Sequence, residues 1–417
     1  MKEVIRPFIP SGQIVAPSSK SQAHRLMILA ALGQSETDLV LNAINDDIEA
    51  TASCLCALGA KITRTKNALH ICPIQSKPAQ RCDLLCKESG STLRFLLPVC
   101  GILGINAVFH RKGRLAQRPL SPFDRVLCEH GMRLKEDGDL LLCSGKLHGG
   151  IFELPGNISS QFLSGLLLAL PLAEEESRIL LTTELQSADY VRMTEQALND
   201  ANVQILNNNA RVIKPRQTYS LPTLFHVEGD WSSAAFFLCA GALSEKGICV
   251  KGLDFRSAQP DRAIIPLLQQ IGAKIEESEN EIRISKSKLH GISADCGQFP
   301  DLVPVLCAVA CLCDGKSEFT NLARLRLKES DRIHAIVTAL SALGAEIEEK
   351  ADFISIKGKK QLKGGLCPSF CDHRIAMACA VAAIGCQNDV IVENSECVSK
   401  SYPDFWNELK RLKGASL

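Results

Sequence analysis

The sequence predicts an α/β fold built from one unit repeated six times, three times in each of two domains. Polar clusters recur at spacings of 70, 69, 72, 69 and 71 residues. They are centred on Ser21, Ser91, Ser160, Ser232, Asp301 and Asp372. Each cluster opens an apolar run, and amphipathic segments that end near glycine alternate with these runs. Because 417 residues exceed one ordinary hydrophobic core, length and period together predict two domains of three units.

The apolar runs predict buried helices. They cover residues 26–32, 93–103, 162–173, 234–243, 302–313 and 375–385. They are rich in alanine and leucine and carry almost no charge, so each helix would be apolar around its whole circumference. Because the first backbone N–H groups of a helix have no partner within it, each polar cluster marks a place that can hold an anion.

The amphipathic segments predict a second helix and several strands in each unit. Gly272, for example, ends such a helix, and the alternating segment 281–284 follows it as a strand. The sixth copy of this pattern is expected to end at Gly414. Three units precede residue 226 and three follow it, so we expect two domains that face each other across a ligand-binding cleft.

Composition excludes several classes of function. The formal net charge is +1, which argues against a general attraction to nucleic acid or to membranes. The apolar runs are too short to span a bilayer, and the first residues lack a secretory apolar segment. The 19 cysteines lie mostly inside apolar runs, without the Cys-x-x-Cys spacing of a zinc or redox site. We therefore expect a cytoplasmic protein with reduced, mostly structural cysteines.

In the first half of the chain, polar clusters combine hydroxyl groups with cations. Lys20 and Arg25 flank a serine-rich helix start, Gly90 lies between two serines, and Arg114 belongs to a basic loop. The cluster at 157–161 is uncharged and suits neutral hydrogen bonds. Each cluster also has an ordinary structural explanation, as a serine N-cap, a turn glycine or a solvated surface. The same groups suit phosphate and carboxylate, which guanidinium groups bind through two hydrogen bonds.

In the second half, the clusters mix cations with carboxyl groups. Asp301 precedes an apolar helix, where it has the alternative role of an N-cap. Lys328 and Arg332 open an amphipathic helix at positions i and i+4, which places them on one helical face. Arg374 begins the sixth buried helix, and Lys400 precedes the last helix. Cations at a helix start oppose the helix dipole, so helix stability alone does not explain them.

Together these residues predict a site for ligands with several negative charges. The cations are Lys20, Arg25, Arg114, Lys328, Arg332, Arg374 and Lys400. Asp301, Glu329 and Asp331 supply carboxyl groups among them for acid–base chemistry. A carboxylate among cations has a lowered pKa, which suits a base better than an acid.

Seven separated motifs agree with one known family over essentially the whole chain. They are Pro17-Ser18-Ser19-Lys20-Ser21, Ser89-Gly90-Ser91-Thr92-Leu93-Arg94, the loop from Arg114 to Pro119, Ser159-Ser160-Gln161, Lys328-Glu329-Ser330-Asp331-Arg332, Asp372-His373-Arg374 and the segment from Lys400 to Asp404. With these motifs the chain resembles the 5-enolpyruvylshikimate-3-phosphate (EPSP) synthase family of enolpyruvyl transferases. The resemblance implies two inside-out α/β domains, each of three βαβαββ-type units, that close around the substrates. It assigns residues 14–226 to the first domain and residues 1–13 with 227–417 to the second.

The resemblance also implies an activity. A member of this family transfers the enolpyruvyl group of phosphoenolpyruvate to the 5-hydroxyl of shikimate 3-phosphate and releases phosphate. The reaction proceeds by addition and elimination through a tetrahedral intermediate, without a metal or another cofactor, and belongs to the shikimate pathway toward the aromatic amino acids. We expect a monomer whose partners are these two small molecules, with no nucleic acid and no membrane.

Site residues follow from the resemblance motif by motif. Those implied to bind shikimate 3-phosphate are Lys20, Ser21, Arg25, Ser159, Ser160, Gln161, Ser187, Asp301, Arg324 and Lys328. Those implied to bind phosphoenolpyruvate are Lys20, Gly90, Arg114, Gln161, Arg332, Arg374 and Lys400. The implied catalytic residues are Asp301 as the base, Glu329 with Lys328 as the proton source, and Lys20. Arg324 departs from the asparagine that many members have at this position.

Two alternatives share parts of this pattern. UDP-N-acetylglucosamine enolpyruvyl transferases have Lys-Asn near the start and a reactive cysteine in a mobile loop. This chain instead has Lys20-Ser21, and the corresponding loop from Arg111 to Pro119 contains no cysteine. A non-catalytic, anion-binding relative would be expected to lose Asp301, Glu329 or Lys328, and all three are present.

Overall fold

The computed structural model describes residues 1–76, 78, 81–207 and 210–414 of the chain. The α-helices are α1 (Lys20–Ala31), α2 (Asp46–Ala57), α3 (Gly90–Leu103), α4 (Phe123–Glu129), α5 (Ser160–Ala169), α6 (Ala188–Asp200), α7 (Trp231–Ala242), α8 (Ile264–Ile271), α9 (Val303–Ala310), α10 (Arg332–Ala342), α11 (His373–Ala382) and α12 (Phe405–Gly414). Short 3-10 helices lie at Gly113–Gln117, Leu170–Leu172, Pro260–Ala263, Pro300–Leu302, Ala323–Leu327, Ala383–Gly385 and Ser395–Lys400. Odd-numbered α-helices are buried and even-numbered ones keep an exposed face. The predicted alternation of buried and amphipathic helices is therefore confirmed.

The strands lie between these helices. They are β1 (Lys2–Ile5), β2 (Gly12–Val15), β3 (Thr37–Val40), β4 (Lys61–Arg64), β5 (Ala68–Cys72), β6 (Cys82–Lys87), β7 (Ala107–Arg111), β8 (Met132–Asp137), β9 (Leu140–Gly145), β10 (Gly150–Leu154), β11 (Ser177–Leu181), β12 (Ile205–Asn207), β13 (Arg211–Ile213), β14 (Leu224–His226), β15 (Ile248–Lys251), β16 (Lys274–Ser278), β17 (Glu281–Ser285), β18 (Ser293–Asp295), β19 (Lys316–Thr320), β20 (Glu346–Lys350), β21 (Phe353–Lys357), β22 (Gly365–Cys367) and β23 (Val390–Glu393). Buried and exposed residues alternate along strands such as β6, so one face of the sheet is covered and the other meets solvent.

One sheet pattern recurs along the chain. In the sheet β6-β7-β9-β8, β6 and β7 are parallel, whereas β7, β9 and β8 pair antiparallel. The sheets β10-β11-β13-β12 and β18-β19-β21-β20 have the same order and directions. One helix follows each of the first two strands, which gives the order β-α-β-α-β-β. The predicted βαβαββ unit is confirmed.

Three of the sheets are completed by strands from distant parts of the chain. The first repeat takes its parallel leading strand from β14, which pairs with β3. The fourth repeat takes its leading strand from β2, which pairs with β15. In the sixth repeat β1 pairs antiparallel with β23 and completes a sheet of three strands. Each of these additions supplies hydrogen-bond partners to a strand edge that its own repeat leaves open.

The chain divides into two compact units. The inserted unit comprises Ser18–Val227, and the terminal unit comprises Met1–Pro17 with Glu228–Leu417. The predicted boundary after residue 13 is wrong by a few residues, because Ile14 and Val15 pair with Val250 and Lys251 on β15. The chain therefore passes from the terminal unit to the inserted unit after Pro17 and returns to the terminal unit after Val227.

Each unit has its own core, in which the buried helices pack on one another. The helices α1, α3 and α5 lie in the core of the inserted unit, and α7, α9 and α11 lie in that of the terminal unit. At Gly165 the backbone of α5 approaches Arg94 of α3 so closely that a Cβ atom would collide with the carbonyl oxygen. The sheets pack around these helices, which is the inside-out arrangement that the family resemblance implies.

Two further expectations concern membranes and cysteines. Within the part of the chain that the structure describes, no helix is both long and apolar enough to cross a bilayer. Most cysteines are buried, and burial raises the pKa of thiols such as Cys239 and Cys307. The sulfur atoms of Cys367 and Cys379 lie next to each other in the core of the terminal unit.

Candidate active site

Three helices of the inserted unit, α1, α3 and α5, begin with the same polar construction. A serine side chain caps each helix by accepting a backbone N–H of the first turn. The capping pairs are Ser19 with Gln22, Ser89 with Thr92, and Ser159 with Gln161. The first turns consist of neutral and basic residues, so the positive end of each helix dipole is available to an anion.

A chain of hydrogen bonds holds the starts of α1 and α3 together. Nδ1 of His24 lies 2.7 Å from Oγ1 of Thr51, which lies 2.7 Å from Oγ1 of Thr92. Thr92 in turn donates to Oγ of Ser89, the N-cap of α3, at 2.7 Å. All four residues are buried, so these bonds are made without competition from water and fix the two helix starts relative to each other.

The two predicted cations of α1 are both held by neighbouring helices. Nζ of Lys20 lies 2.9 Å from Oδ2 of Asp47 on α2. Arg25 is buried and donates to the carbonyl of Tyr190 and to Oγ1 of Thr194, each at 2.8 Å. Burial lowers the pKa of Arg25 to about 10, and the charge of Tyr190 opposes this effect. Arg25 therefore still carries its proton at neutral pH.

Gln161 connects the starts of α5 and α3. Its side-chain nitrogen donates to Oγ of Ser91 at 2.9 Å, and its oxygen accepts from Nη1 of Arg94 at 2.9 Å. Arg94 also donates to the carbonyl of Pro119 at 3.1 Å. A Cβ atom on Gly90 would lie only 2.6 Å from Nη1 of Arg94. The absence of a side chain at Gly90 therefore lets the guanidinium lie against the start of α3.

The other predicted residues of the inserted unit have these positions. Ser21 is half-buried in the first turn of α1, and Ser160 is the buried first residue of α5. Ser187 is buried immediately before α6 and has a left-handed backbone with φ 55°. Such a conformation is uncommon outside glycine, asparagine and aspartate. Arg114 is half-buried in the 3-10 helix Gly113–Gln117.

Arg332 organises the charged residues of the terminal unit. It is the first residue of α10, and its side chain is only 2% exposed. Its guanidinium donates to Asp301 at 2.8 Å, to Glu329 at 2.7 Å and to Asp372 at 2.8 Å. One buried cation thus orients three carboxylates, which include both of the carboxylates predicted to act as base and acid.

Asp301 in turn meets three cations. Its Oδ1 lies 2.8 Å from Arg332 and 3.5 Å from Nζ of Lys328, and its Oδ2 lies 3.2 Å from Arg374. Burial alone would raise the pKa of this carboxyl, but the combined attraction of Arg374, Lys328 and Arg332 outweighs burial. The pKa of Asp301 therefore lies well below its ordinary value, and the prediction of a lowered pKa is confirmed.

Comparison with known proteins identifies the family to which this arrangement belongs. The family model described as EPSP synthase (3-phosphoshikimate 1-carboxyvinyltransferase) matches residues 10–409 of the chain. The chain belongs to the EPSP synthase family. A 3-phosphoshikimate 1-carboxyvinyltransferase of Clostridium kluyveri is 42% identical over 414 residues, which cover 98% of this chain and 97% of the relative. The enzyme of that name from Clostridium beijerinckii is 42% identical over 424 aligned positions, with the same coverage.

Solved structures agree with this family membership. An EPSP synthase from Acinetobacter baumannii has a TM-score of 0.82 and 25% identity, covering 99% of this chain and 98% of its own. The enolpyruvyl transferase NikO from Streptomyces tendae has a TM-score of 0.79 at 15% identity, covering 98% of this chain and 96% of its own. At that identity the likeness to NikO shows the fold alone.

Within this EPSP synthase family fold, one local prediction is wrong. Lys328 and Arg332 do not share a helical face, because α10 begins only at Arg332, after the N-cap Asp331. Lys328 instead follows the 3-10 helix Ala323–Leu327 in extended conformation. Both cations nevertheless reach the carboxylate of Asp301, from different backbone geometries. Asp301 itself lies inside the 3-10 helix Pro300–Leu302 rather than at an N-cap.

Arg324 and Lys400 flank the charged cluster in sequence. Arg324 belongs to the 3-10 helix before Lys328 and donates to the carbonyl of Gly297 at 2.6 Å. Lys400 is the buried last residue of the 3-10 helix Ser395–Lys400, which packs against α11.

Several buried polar residues of this EPSP synthase family member were not predicted as site residues. Arg94, Asp372 and Asp261 are buried and interact with predicted site residues. Arg94 and Asp372 belong to motifs that were noted, but only the neighbouring residues were assigned. Burial and the charge of Asp301 raise the pKa of Asp261 to about 6, against the attraction of Arg374. No sequence signal marks Asp261, because its position depends on packing between repeats.

Proposed function

We propose that this chain transfers the enolpyruvyl group of phosphoenolpyruvate to the 5-hydroxyl of shikimate 3-phosphate. The hydroxyl oxygen bonds to C2 of phosphoenolpyruvate while C3 gains a proton, which forms a tetrahedral intermediate. Loss of phosphate, together with a proton from C3, restores the double bond. The family membership and the names of the relatives support this reaction. Two substrates rich in negative charge also match the concentration of cations near Asp301.

The observation that carries the proposal is the position of Arg332 between Asp301 and Glu329. One guanidinium orients the base and the acid of a single reaction, at 2.8 Å and 2.7 Å. Three cations keep Asp301 strongly acidic, which makes it a weak base. Phosphate and carboxylate groups of the substrates would offset the charges of Lys328 and Arg374. The pKa of Asp301 would then rise, so that the carboxylate accepts the hydroxyl proton only when both substrates are bound.

The residue assignments follow the two units. We assign to shikimate 3-phosphate the residues Lys20, Ser21, Arg25, Ser159, Ser160, Gln161, Ser187, Asp301, Arg324 and Lys328. We assign to phosphoenolpyruvate the residues Lys20, Gly90, Arg114, Gln161, Arg332, Arg374 and Lys400. Capped helix starts and buried, hydrogen-bonded arginines support these roles, because anions bind preorganised N–H groups with little reorganisation. The inserted unit thus mainly binds shikimate 3-phosphate, and the terminal unit supplies acid–base groups.

Glu329 is the proposed proton source for C3, with Lys328 next to it in sequence. Its side chain is 13% exposed and accepts from Arg332. A carboxyl group held beside a cation is normally ionised, so Glu329 becomes an acid only when bound substrate raises its proton affinity. Lys328 and Glu329 would titrate as a coupled pair, and the proton belongs to the pair.

A direct assay tests the reaction. The purified protein is incubated with shikimate 3-phosphate and phosphoenolpyruvate, and release of inorganic phosphate is followed with time. We expect release that depends on both substrates. Parallel reactions replace shikimate 3-phosphate by shikimate, which lacks the phosphate, or by UDP-N-acetylglucosamine. Release with UDP-N-acetylglucosamine but not with shikimate 3-phosphate would overturn the proposal in favour of the related transferase.

Several accompanying properties stay predictions. These are a cytoplasmic location, a monomeric state, and catalysis that needs no metal or other cofactor. Size-exclusion chromatography coupled to light scattering tests the monomer, and turnover in the presence of a strong chelator tests the metal-free reaction.

A further inference from the structure

A group of side chains that can bind a metal lies on the first sheet of the inserted unit. It is formed by residues at and next to β3 and β5 and not by the capped starts of α1, α3 and α5. Within this sheet, Asp38 of β3 pairs with His70 of β5. Glu36 directly precedes β3, and Cys72 is the last residue of β5. Burial alternates along β5, with Leu69 and Ile71 buried. His70 and Cys72 therefore share the opposite face of the sheet, which is turned toward solvent.

The distances within this group match a tetrahedral metal site. Oε2 of Glu36 lies 3.5 Å from Nε2 of His70, and Sγ of Cys72 lies 3.6 Å from the same nitrogen. The three ligand atoms all lie within 4.8 Å of one another. Ligand atoms bound about 2.0–2.3 Å from a tetrahedral Zn²⁺ are separated by roughly 3.3–3.8 Å. Two of the three separations already have these values, and Glu36 is an exposed side chain that can adjust.

Asp38 prepares His70 for this role. Its Oδ1 lies 2.8 Å from Nδ1 of His70. A carboxylate only accepts, so this contact places the proton of the neutral imidazole on Nδ1. The lone pair of Nε2 then points toward Glu36 and Cys72. In zinc sites, a carboxylate in this position orients the imidazole of a ligating histidine and raises its basicity.

We propose that Glu36, His70 and Cys72 bind one Zn²⁺ ion, with Asp38 as the positioning residue. A thiolate, an imidazole and a carboxylate together favour Zn²⁺ over Mg²⁺ or Ca²⁺, which prefer oxygen ligands only. Three protein ligands leave one tetrahedral position for a water molecule.

The bound ion would tie the segment before β3 to the end of β5. A ligand that binds only the folded state stabilises it, so Zn²⁺ should raise the melting temperature. The three ligands are not among the residues assigned to the substrates. The proposal is therefore independent of the proposed function, and loss of the metal should leave the kinetic constants unchanged.

Titration with Co²⁺, as a spectroscopic substitute for Zn²⁺, tests the site. The full chain is freed of metal and kept with a non-thiol reductant, and Co²⁺ is added stepwise. We expect a thiolate-to-Co²⁺ charge-transfer band and intense visible bands that saturate at one equivalent and disappear on addition of Zn²⁺. Cys72→Ser should lose the charge-transfer band. Asp38→Asn should keep the band but bind Co²⁺ about 10–100-fold more weakly.

Two matched variants control for other cysteines and histidines. Cys56 is an exposed cysteine of α2, and Cys56→Ser should keep the full spectrum. His110 forms a similar exposed pair with Asp83 at 2.7 Å on the next repeat, and His110→Ala should bind Co²⁺ like the wild type. Circular dichroism checks that each variant is folded, and His70→Gln replaces Cys72→Ser if the latter is not. An unchanged charge-transfer band in the folded Cys72→Ser or His70→Gln protein would overturn the proposal. The absence of any thiolate band in the wild type would do the same.

Discussion

Asp372 accepts a hydrogen bond from Nε of Arg332 at 2.8 Å, while its other carboxylate oxygen accepts the backbone N–H of Arg374 at 3.0 Å. The side chain of Asp372 is fully buried. A single carboxylate thus caps α11 and anchors the first residue of α10 at the same time. Asp301 and Glu329 depend on this anchor, because both are oriented by the guanidinium that Asp372 holds.

Arg332→Lys should strongly destabilise the protein. The lysine ammonium is a point charge and cannot contact three carboxylates in the geometry of a guanidinium. Removing one partner from a buried ion-pair network costs about 3–5 kcal/mol. We expect a loss of this size in the free energy of unfolding, measured by urea denaturation at pH 7. Arg125→Lys serves as the control, because Arg125 is 72% exposed and pairs with Glu129 on the surface of α4. Equal stability of both variants would show that Arg332 does not hold the cluster together.

Asp301→Asn should abolish most turnover and leave phosphoenolpyruvate binding intact. The amide has nearly the same shape but cannot accept the hydroxyl proton, and loss of a general base costs roughly 10²–10⁴-fold in kcat. Removal of a negative charge from among three cations should not weaken the binding of an anion. Steady-state kinetics and phosphoenolpyruvate titration give the two quantities. Asp314→Asn, on an exposed aspartate, should change neither. If kcat survives at saturation, Asp301 is only a binding residue.

Gly90→Ala should weaken the use of phosphoenolpyruvate more than that of shikimate 3-phosphate. The added methyl group would lie 2.6 Å from Nη1 of Arg94 and 2.9 Å from Nη1 of Arg118. Both guanidinium groups would have to move away from the start of α3. We expect KM for phosphoenolpyruvate to rise at least tenfold, with a smaller change in kcat. Gly138→Asn is the control, because Gly138 lies in a turn with φ 57° that asparagine tolerates and nothing lies within 4 Å. An unchanged KM would contradict the assignment of Gly90.

Asp261→Asn should remove part of the pH dependence of stability. The pKa of Asp261 is raised to about 6 in the folded protein, whereas an unfolded aspartate titrates near 3.9. The folded state keeps a proton that the unfolded state loses between these values. The contribution of the protonated Asp261 side chain to the free energy of unfolding is therefore complete below about pH 4, and it is lost as the pH rises through 6. About two pKa units correspond to about 3 kcal/mol.

The measurement compares the wild type, Asp261→Asn and Asp254→Asn, which changes a half-buried aspartate, by urea denaturation from pH 4 to 7. The stability of Asp261→Asn relative to the wild type should increase by about 3 kcal/mol over this range. Asp254→Asn should follow the wild type. Parallel curves for all three proteins would show that Asp261 titrates normally.

The sequence allowed the buried helices and their polar starts to be predicted, because both are local properties. An uncharged run buries all sides of a helix wherever it lies, and a serine before it caps its own first turn. The prediction was wrong where a boundary depends on a few backbone angles, as at Lys328, which lies outside α10. The residues that were missed have partners in other repeats. Arg94 meets Gln161, and Asp372 meets Arg332, across many intervening residues.

The sequence by itself determined the number of repeats, their period and the residues that begin each buried helix. These features follow from hydrophobic periodicity and capping, which act over a few residues. Only the tertiary structure decided that β14 completes the first sheet, that β2 completes the fourth, and that Arg332 meets three carboxylates at once. These contacts form because an open strand edge needs hydrogen-bond partners and a buried charge needs an opposite charge. Residues far apart in the sequence satisfy those requirements, so no local pattern records them.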